Sequence, residues 1–458
     1  MDNNKTLKIH FLGASGTVTG SKYLLEFPDC TVLTDCGLFQ GLKKLRELNW
    51  QQLPVRASDI DYVLLTHGHL DHTGFLPRLV KMGFKGEIWG TAPTLDIAEI
   101  ILRDSAKIQE EDAERANRDG FTKHSPAKPL YNTLDVEKTL KLFESKPLDD
   151  WIRLGNNIRM RFRYNGHILG ATFIELDADE NRIVFSGDVG RKDDFLLRDP
   201  AKPDRADFLF LESTYGDRIH PHSDNLKKLR QVILDTTEQN GTLIIPSFAV
   251  ERAQLLMYMI YLLHLEESIP RSLPVILDSP MAISALSVFR KHPGWHKLSD
   301  EQCMGMTDRI IAVQSYSETL ELIDNPESKI IIAGSGMVGG GRVLSYLEKY
   351  IGKEETTILL AGFQAEGTRG RQLLEGADEI KFFGNYHNVK ARVDLLEGLS
   401  AHADRNGLLD WISDIEAAPS HLFLTHGEPH ALDSLRVKLK DEYGWNSDIP
   451  ELYDIKEI

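Results

Sequence analysis

The first half of the chain is a series of short apolar runs separated by glycine, serine and proline, a pattern typical of β-strands joined by turns. Such runs occupy residues 22–27 and 31–37. The run 60–66 is almost wholly apolar, as expected for a strand that is buried on both faces. From 92 to 117 the apolar residues recur instead at helical spacing among many charges, which predicts an amphipathic helix. Strands flanked by such helices predict a layered α/β domain.

The pattern changes in the middle of the chain, where each apolar run is followed by a helical run. This order predicts a parallel sheet with crossover helices. Short strands resume beyond this region, and a last helix is predicted to begin at Pro429. The sequence therefore predicts three segments: a first part of a core domain (1–212), an inserted α/β domain (213–382) and a C-terminal part of the core (383–458).

Composition and charge limit the classes of protein to which the chain can belong. The chain has 458 residues, of which 41% are hydrophobic and 27% charged, as in an ordinary globular protein. Its net charge of −16 speaks, taken alone, against a nucleic-acid partner. Cys30, Cys36 and Cys303 are too few for a disulfide framework or a thiolate zinc site. Without an apolar run of about 18 residues, we expect no signal peptide, no membrane association and a cytoplasmic location.

The strongest chemical signal is the motif His67-Gly68-His69-Leu70-Asp71-His72, directly after the apolar run 60–66. It places potential metal ligands close together on a tight loop. Neutral imidazole and carboxylate groups are the ligands that Zn²⁺ prefers when thiolates are absent. The motif therefore predicts a zinc site rather than a solvated polar loop.

Three further residues, Asp35, His167 and Asp188, occur in similar contexts, each after an apolar run and beside glycine. Taken alone, each is more typical of a turn than of a metal site. Together they supply what a two-metal site needs, because two zinc ions require about four ligands each and a carboxylate that bridges them.

This series of residues resembles that of the metallo-β-lactamase fold family. The resemblance implies two zinc ions per chain and two groups of ligands with a shared carboxylate: His67, His69 and His167 for one ion, Asp71 and His72 for the other, and Asp188 between them. Asp35 would orient the loop and the hydroxide that the zinc ions generate. Lactamases, thioesterases, oxidoreductases and nucleases share these motifs, so they do not identify the substrate.

Three residues outside that series narrow the function. Glu212 ends the apolar run 208–212, and His402 and His426 each follow a strand-like run near the C-terminus. With the inserted domain, this arrangement is similar to the β-CASP nucleases, and especially to the subgroup that contains the endonuclease subunit of the cleavage and polyadenylation specificity factor and compact bacterial ribonucleases. The implied fold is an αββα metallo-β-lactamase sandwich with an inserted β-CASP α/β domain.

The same resemblance implies a mechanism. His426 would complete the coordination of the second zinc, and a histidine there is similar to the members that act on RNA. His402 would be the general acid, and Glu212 would set its tautomer. The implied activity is therefore a zinc-dependent ribonuclease in which a di-zinc-activated hydroxide cleaves the phosphodiester. The sequence does not separate endonuclease from 5′-exonuclease action.

Candidate substrate contacts lie in the inserted domain. Ser335 and Gly336 belong to a glycine-rich segment that follows an apolar run and opens a helix, where backbone N–H groups suit phosphate oxygens. The segment lacks the Lys-Ser/Thr ending of a nucleotide P-loop. Arg369 is a further candidate contact to the RNA, which we expect to be single-stranded. A homodimer is a candidate assembly.

Two other functions stay open. The first is a lactamase-fold hydrolase of small esters or thioesters, which would need neither the inserted domain nor the set Glu212, His402 and His426. The second is a non-catalytic RNA-binding scaffold, a function that is typical of relatives without metal ligands. Every expected ligand position is filled in this chain, which favours an enzyme over a scaffold.

Overall fold

The computed structural model of the chain describes residues 7–120, 124–221 and 223–457. It contains two compact units: the continuous segment His220–Ala401, and a unit formed by the segments that precede and follow it in the chain. Within the described ranges, none of the helices combines the length and the apolar character that crossing a membrane requires.

The unit formed by the outer segments contains two sheets. The first has seven strands in the order β21-β1-β2-β3-β4-β5-β6, antiparallel from β21 to β3 and parallel from β3 to β6. Its strands are β1 (Lys8–Phe11), β2 (Tyr23–Glu26), β3 (Thr31–Thr34), β4 (Tyr62–Leu64), β5 (Glu87–Gly90), β6 (Phe143–Ser145) and β21 (Ile455–Glu457).

The second sheet of this unit has six strands in the order β20-β11-β10-β9-β8-β7. Strands β7 to β10 pair in antiparallel fashion, whereas β10, β11 and β20 are parallel. The strands are β7 (Ile152–Arg153), β8 (Ile158–Tyr164), β9 (Thr172–Ala178), β10 (Asn181–Phe185), β11 (Phe208–Glu212) and β20 (His421–Thr425). The apolar run 208–212 in the sequence therefore predicts β11 closely.

The two sheets pack face to face over an aromatic core, and helices cover their outer faces. The ring of Phe11 in the first sheet lies 5.7 Å from that of Phe210 and 5.1 Å from that of Phe423 in the second. This helix–sheet–sheet–helix order is the predicted layered architecture. The helices of the unit are α1 (Lys43–Leu48), α2 (Leu70–Thr73), α3 (Leu76–Lys81), α4 (Ala92–Asp119), α5 (Thr133–Leu140), α13 (Arg405–Trp411) and α14 (Pro429–Tyr443).

Helix α4 shows how the local sequence determines an element of this layer. The Thr91 side chain accepts a hydrogen bond from the Thr94 N–H and so caps the first turn, and Gly120 ends the helix in the left-handed conformation. Between these ends, residues such as Leu95 and Leu102 are buried on the side that faces the first sheet. The predicted helix is thus confirmed.

The unit His220–Ala401 contains a six-stranded sheet in the order β14-β13-β15-β12-β16-β19, in which every pairing is parallel. This confirms the predicted parallel sheet. Its strands are β12 (Thr242–Pro246), β13 (Val275–Asp278), β14 (Ile310–Ala312), β15 (Lys329–Ala333), β16 (Thr357–Ala361) and β19 (Arg392–Leu396), and β17 (Glu379–Phe382) and β18 (Asn385–Asn388) form a separate hairpin.

Helices connect the parallel strands of this unit. They are α6 (Asn225–Glu238), α7 (Arg252–Leu265), α8 (Pro280–Lys291), α9 (Asp300–Asp308), α10 (Tyr316–Asp324), α11 (Val343–Tyr350) and α12 (Arg369–Leu374). Helix α7 is buried along most of its length, which explains why its sequence is apolar on nearly all sides.

Candidate metal centre

The predicted metal ligands lie on segments that follow the carboxyl ends of strands, the usual position of binding sites in α/β sheets. Strand β4 leads into the loop of His67 and His69 and then into α2, and strands β8, β10 and β20 lead into three further loops. These segments carry the side chains that the structure brings together: His67, His69, Asp71, His72, His167, Asp188 and His426.

One group of donor atoms is formed by His67, His69, His167 and Asp188. The His69 Nδ1 atom lies 3.0 Å from His67 Nε2 and 3.3 Å from His167 Nε2. The Asp188 Oδ2 atom lies 3.4 Å from His67 Nε2 and 3.5 Å from His167 Nε2. These nitrogen and oxygen atoms therefore converge on a single point, as the ligands of a metal ion do.

A second group is formed by Asp71, His72 and His426. The Nε2 atoms of the two histidines lie 3.2 Å apart, and Asp71 Oδ2 lies 3.6 Å from His426 Nε2. The Asp188 Oδ1 atom lies 3.3 Å from His72 Nε2. Asp188 thus presents one carboxylate oxygen to each group of donor atoms.

The residues present fit a metal ion. The Asp188 Oδ1 and His167 Nδ1 atoms are buried without a hydrogen-bond partner, although unsatisfied buried polar atoms are unfavourable. A cation near Asp188 would satisfy its carboxylate. Imidazole and carboxylate donors without thiolates are also the set that suits zinc and other divalent transition metals.

The electrostatics of the histidines agree with metal ligation. Burial lowers the pKa of His67 and His167 well below the usual value and that of His69 to about 4, so these rings are neutral, the form that binds metals. Burial opposes a proton on His72, but the carboxylates of Asp188 and Asp35 raise its pKa well above the usual value. A metal ion among these carboxylates would displace that proton.

Asp35 lies behind the second group of donor atoms. Its Oδ2 atom is 2.7 Å from His72 Nδ1, and its Oδ1 atom accepts a hydrogen bond of 2.8 Å from the Thr66 N–H. The residue is buried, and its backbone has a positive φ of 57°. Asp35 therefore orients the His72 ring and holds the start of the His67–His72 loop, and its predicted role toward the hydroxide stays a prediction.

Glu212 and His402 form a pair beside the first group of donor atoms. The His402 Nδ1 atom lies 3.2 Å from Glu212 Oε1, and its Nε2 atom lies 3.9 Å from Asp188 Oδ2. Glu212 is buried and also accepts hydrogen bonds from the N–H groups of Val189 and Thr214. Burial opposes a charged His402 ring, but the Glu212 and Asp188 carboxylates raise its pKa to about 9.

Two threonine hydroxyl groups that position the ligands were not predicted from the sequence. The Thr66 hydroxyl donates to Asp35 Oδ2 (2.9 Å) and lies 3.1 Å from His67 Nδ1. The Thr214 hydroxyl lies 3.1 Å from His426 Nδ1. Only their positions in the sequence could have indicated these hydroxyl groups, because Thr66 directly precedes the histidine motif and Thr214 lies two residues after Glu212.

The predicted substrate contacts belong to the unit His220–Ala401 and are not members of this cluster. Ser335 and Gly336 follow β15, and the Ser335 hydroxyl accepts hydrogen bonds from the N–H groups of Gly339 and Gly340. The Arg369 guanidinium donates to the carbonyl groups of Lys381, Val338 and Gly339. These bonds stabilise the loop, and a role in RNA binding stays a prediction.

Comparison with known families decides the classification. Residues 16–245 match the metallo-beta-lactamase superfamily, residues 253–373 the Beta-Casp domain, and residues 386–450 the Zn-dependent metallo-hydrolase RNA specificity domain. The chain belongs to the β-CASP branch of the metallo-β-lactamase superfamily. This confirms the resemblance and the predicted fold class, and it identifies the β-CASP chain as a metal-dependent hydrolase with a metal-binding site.

Curated relatives agree with the β-CASP assignment. The chain is 32% identical to Ribonuclease TTHA0252 of Thermus thermophilus, over 94% of this chain and 95% of the relative. It is 30% identical to Transcription termination factor FttA of Methanosarcina mazei, over 95% and 70% of the two chains. Endoribonuclease YSH1 of Candida glabrata is 28% identical, over 96% of this chain and 57% of the relative.

Among solved structures, a protein of unknown function from Enterococcus faecalis V583 is similar in fold to this β-CASP chain. The match has a TM-score of 0.57 at 15% sequence identity and covers 99% of this chain and 100% of that chain. At this level of identity the likeness concerns the fold alone.

Proposed function

We propose that this chain is a zinc-dependent ribonuclease that hydrolyses phosphodiester bonds of single-stranded RNA with two zinc ions. The observation that carries the proposal is the position of Asp188, which presents one carboxylate oxygen to each of two groups of donor atoms. The choice of RNA is supported by the printed names of two relatives, a ribonuclease and an endoribonuclease.

We assign the ligands by the two groups of donor atoms. His67, His69 and His167 would hold one zinc ion, and Asp71, His72 and His426 would hold the other. Asp188 would bridge the two ions. Support comes from the short separations between donor atoms within each group and from the buried Asp188 oxygen that lacks a hydrogen-bond partner. Bound zinc ions would supply Lewis acidity toward a phosphoryl oxygen and toward water.

The chain's own residues supply orientation and a proton. Asp35 and Thr66 hold the rings of His72 and His67 in position through the contacts described above. His402 would donate the proton on Nε2 to the leaving 3′ oxygen, because its other ring nitrogen faces Glu212 while Nε2 faces Asp188. Glu212 would keep a proton on Nδ1 and fix the plane of the ring. The products would be a 3′-hydroxyl and a 5′-phosphate.

The decisive experiment compares substrates. Purified chain with zinc or manganese is incubated with 5′-labelled single-stranded RNA, single-stranded DNA of the same sequence and a thioester. We expect cleavage of RNA, and a circular RNA of the same sequence will separate endonuclease from 5′-exonuclease action, since only an endonuclease cuts a circle. Intact RNA together with turnover of the thioester would contradict the proposal and favour a lactamase-fold esterase.

Two further proposals concern the compartment and the oligomeric state of the protein. The three cysteines are buried and unpaired, which supports the reducing cytoplasm as its compartment. The homodimer stays a prediction, and light scattering of the purified chain tests it, because the mass of a single chain would contradict it.

A further inference from the structure

The strand order of the unit His220–Ala401 predicts a crevice at the carboxyl edge of its parallel sheet. Strand β12 lies between β15 and β16, and all three strands run in the same direction. After β12 the chain continues to β13, which lies beyond β15 in the strand order. After β16 it continues to β19, which lies on the opposite side of β16. Where neighbouring strands send their connections in opposite directions, a crevice opens at their carboxyl ends, and ligands bind there in open α/β sheets.

Each of the two strands at this crevice is followed, two residues after its end, by an exposed phenylalanine. Phe248 follows β12 and is 44% exposed, and Phe363 follows β16 and is 46% exposed. Along the described stretch 241–260, Phe248 is the one exposed residue, and Gln364, next to Phe363, is 2% exposed. The ends of β12 and β16 therefore each present an exposed aromatic ring beside a buried neighbour or strand.

The two phenylalanines lie at the same edge of the sheet. The register pairs Leu243 with Thr357 and Ile244 with Ile358, and neighbouring strands are about 4.8 Å apart. Continued beyond the strand ends, this register places Phe248 beside Gly362, the residue before Phe363, so the two positions are neighbours along this edge.

A glycine-rich loop borders the ring of Phe248. A Cβ atom on Gly336 would lie 2.7 Å from that ring, so the loop after β15 can lie against it only because this residue is glycine. The Gln364 side chain donates a hydrogen bond of 3.2 Å to the Gly336 carbonyl and so ties the neighbour of Phe363 to the same loop. The loop after β15 thus lies close to the ring of Phe248 and is hydrogen-bonded to the residue that follows Phe363.

Arg252 stabilises the base of the crevice. Its side chain is buried, and its Nη1 atom donates a hydrogen bond of 2.9 Å to the Ala361 carbonyl at the end of β16. A Cβ atom on Gly362 would lie 2.3 Å from the same Nη1 atom. Arg252 begins helix α7, which follows Phe248, so it links the two strand ends and holds both phenylalanines on a rigid base.

We propose that this crevice is a nucleobase-binding site in which Phe248 and Phe363 stack on bases of the RNA strand. The proposal rests on the ribonuclease function proposed above. Base–aromatic stacking contributes about 1–3 kcal/mol per base and tolerates any sequence, because every base has a π-face. Two half-exposed rings form only a small part of the roughly 800 Å² that each partner buries in a stable protein interface, which favours a nucleobase over a protein partner.

The test compares the variants Phe248→Ala, Phe363→Ala and their combination with a matched control, Tyr386→Ala. Tyr386 is 64% exposed on strand β18, which belongs to the separate β17–β18 hairpin and not to the six-stranded sheet. We expect each phenylalanine variant to raise KM for single-stranded RNA about tenfold with little change in kcat. Phe363→Trp should retain wild-type KM, whereas Phe363→Leu, which keeps an apolar side chain without a ring, should not.

A binding experiment separates this proposal from the ribonuclease proposal. RNA that contains 2-aminopurine should lose fluorescence on binding to the wild-type chain and to Tyr386→Ala, but not on binding to the double phenylalanine variant. If the wild type quenches the fluorescence without cleaving RNA, the ribonuclease proposal is wrong and the stacking site stands. If RNA is cleaved, and the double variant matches Tyr386→Ala in both KM and quenching, the stacking site is wrong.

Discussion

His402 and Glu212 are separated by 190 residues along the chain, yet His402 Nδ1 lies 3.2 Å from Glu212 Oε1. The contact leaves the Nε2 atom of His402 directed toward Asp188. A histidine held in this way can transfer a proton at Nε2 without being a ligand of the metal.

Removal of this ring should separate catalysis from metal binding. We expect His402→Ala to slow RNA cleavage by about 10²–10⁴-fold, the usual contribution of a general acid, and to leave the zinc content unchanged. Cleavage rates and metal analysis of the same preparation measure both quantities. His430→Ala is the matched control, since His430 has an exposed side chain and should be neutral in both measurements. A parallel loss of zinc in His402→Ala would mean that His402 is a ligand.

Glu212 should act through His402. We expect Glu212→Gln, which keeps the shape of the side chain but removes its charge, to lower cleavage by about tenfold or more. In a His402→Ala background the same change should have almost no further effect, because residues that act as a unit are not additive. A double-mutant cycle on the cleavage rate measures this coupling. Full additivity of the two changes would show that Glu212 acts independently of His402.

Asp188 should be required for both metal ions. We expect Asp188→Asn to reduce the zinc content from about two ions to fewer than one per chain, because each oxygen of the carboxylate faces one group of donor atoms. Metal analysis after gel filtration measures the content. Asp194→Asn is the control, because Asp194 is a buried aspartate of the same segment that is not among the donor atoms. Its Oδ1 atom accepts hydrogen bonds from the N–H groups of Leu196 and Leu197. Two zinc ions retained in Asp188→Asn would contradict the bridging role.

The hydroxyl group of Thr214 should tune the affinity for one zinc ion. It lies 3.1 Å from His426 Nδ1 and fixes the orientation of that ring. Loss of such a partner typically lowers metal affinity about 10–100-fold. We therefore expect Thr214→Val to lower the affinity for the more weakly held zinc ion by this factor. Thr214→Ser keeps the hydroxyl group and should retain the wild-type affinity. Titration against a competing chelator measures it, and equal affinities of the valine and serine variants would refute the role.

Elements with strong local signals could be predicted from the sequence. The apolar run 22–27 contains β2, the apolar run 208–212 corresponds to β11, and Pro429 begins α14. In each case the signal is a periodicity or a proline at a helix start, which acts within a few neighbouring residues. The histidine motif was predictable for the same reason, since His67 and His72 are five positions apart.

Contacts between distant segments could not be predicted in this way. Thr214 and His426 are 212 residues apart, and nothing in either local sequence indicates their contact. The carbonyl groups that engage the Arg369 guanidinium belong to separate segments as well, so the arginine resembles a free surface charge in the sequence. The pairing of His402 with Glu212 was available only through resemblance to a family.

A buried lysine, Lys22, is another feature without a sequence signal. The residue is 1% exposed, and its ammonium group donates hydrogen bonds to the carbonyl groups of Gly20 (3.0 Å) and Gly37 (2.6 Å). It also lies 4.5 Å from the centre of the Phe39 ring. Gly37 follows Asp35 by two residues, so Lys22 supports the segment that positions the His72 ring. Burial lowers the pKa of Lys22 to about 8.

This pKa predicts how stability depends on pH. In the unfolded chain Lys22 keeps its proton up to about pH 10.4, whereas in the folded chain it loses the proton near pH 8. Between these values the unfolded state binds more protons, so Lys22 makes the free energy of unfolding rise with pH. Relative to Lys22→Met, the wild type should gain up to about 3 kcal/mol between pH 7.5 and 10.5, as measured by urea unfolding. Lys43→Met, which removes a lysine whose side chain is 76% exposed, should show no such difference, and a flat difference for Lys22→Met would show that Lys22 titrates normally.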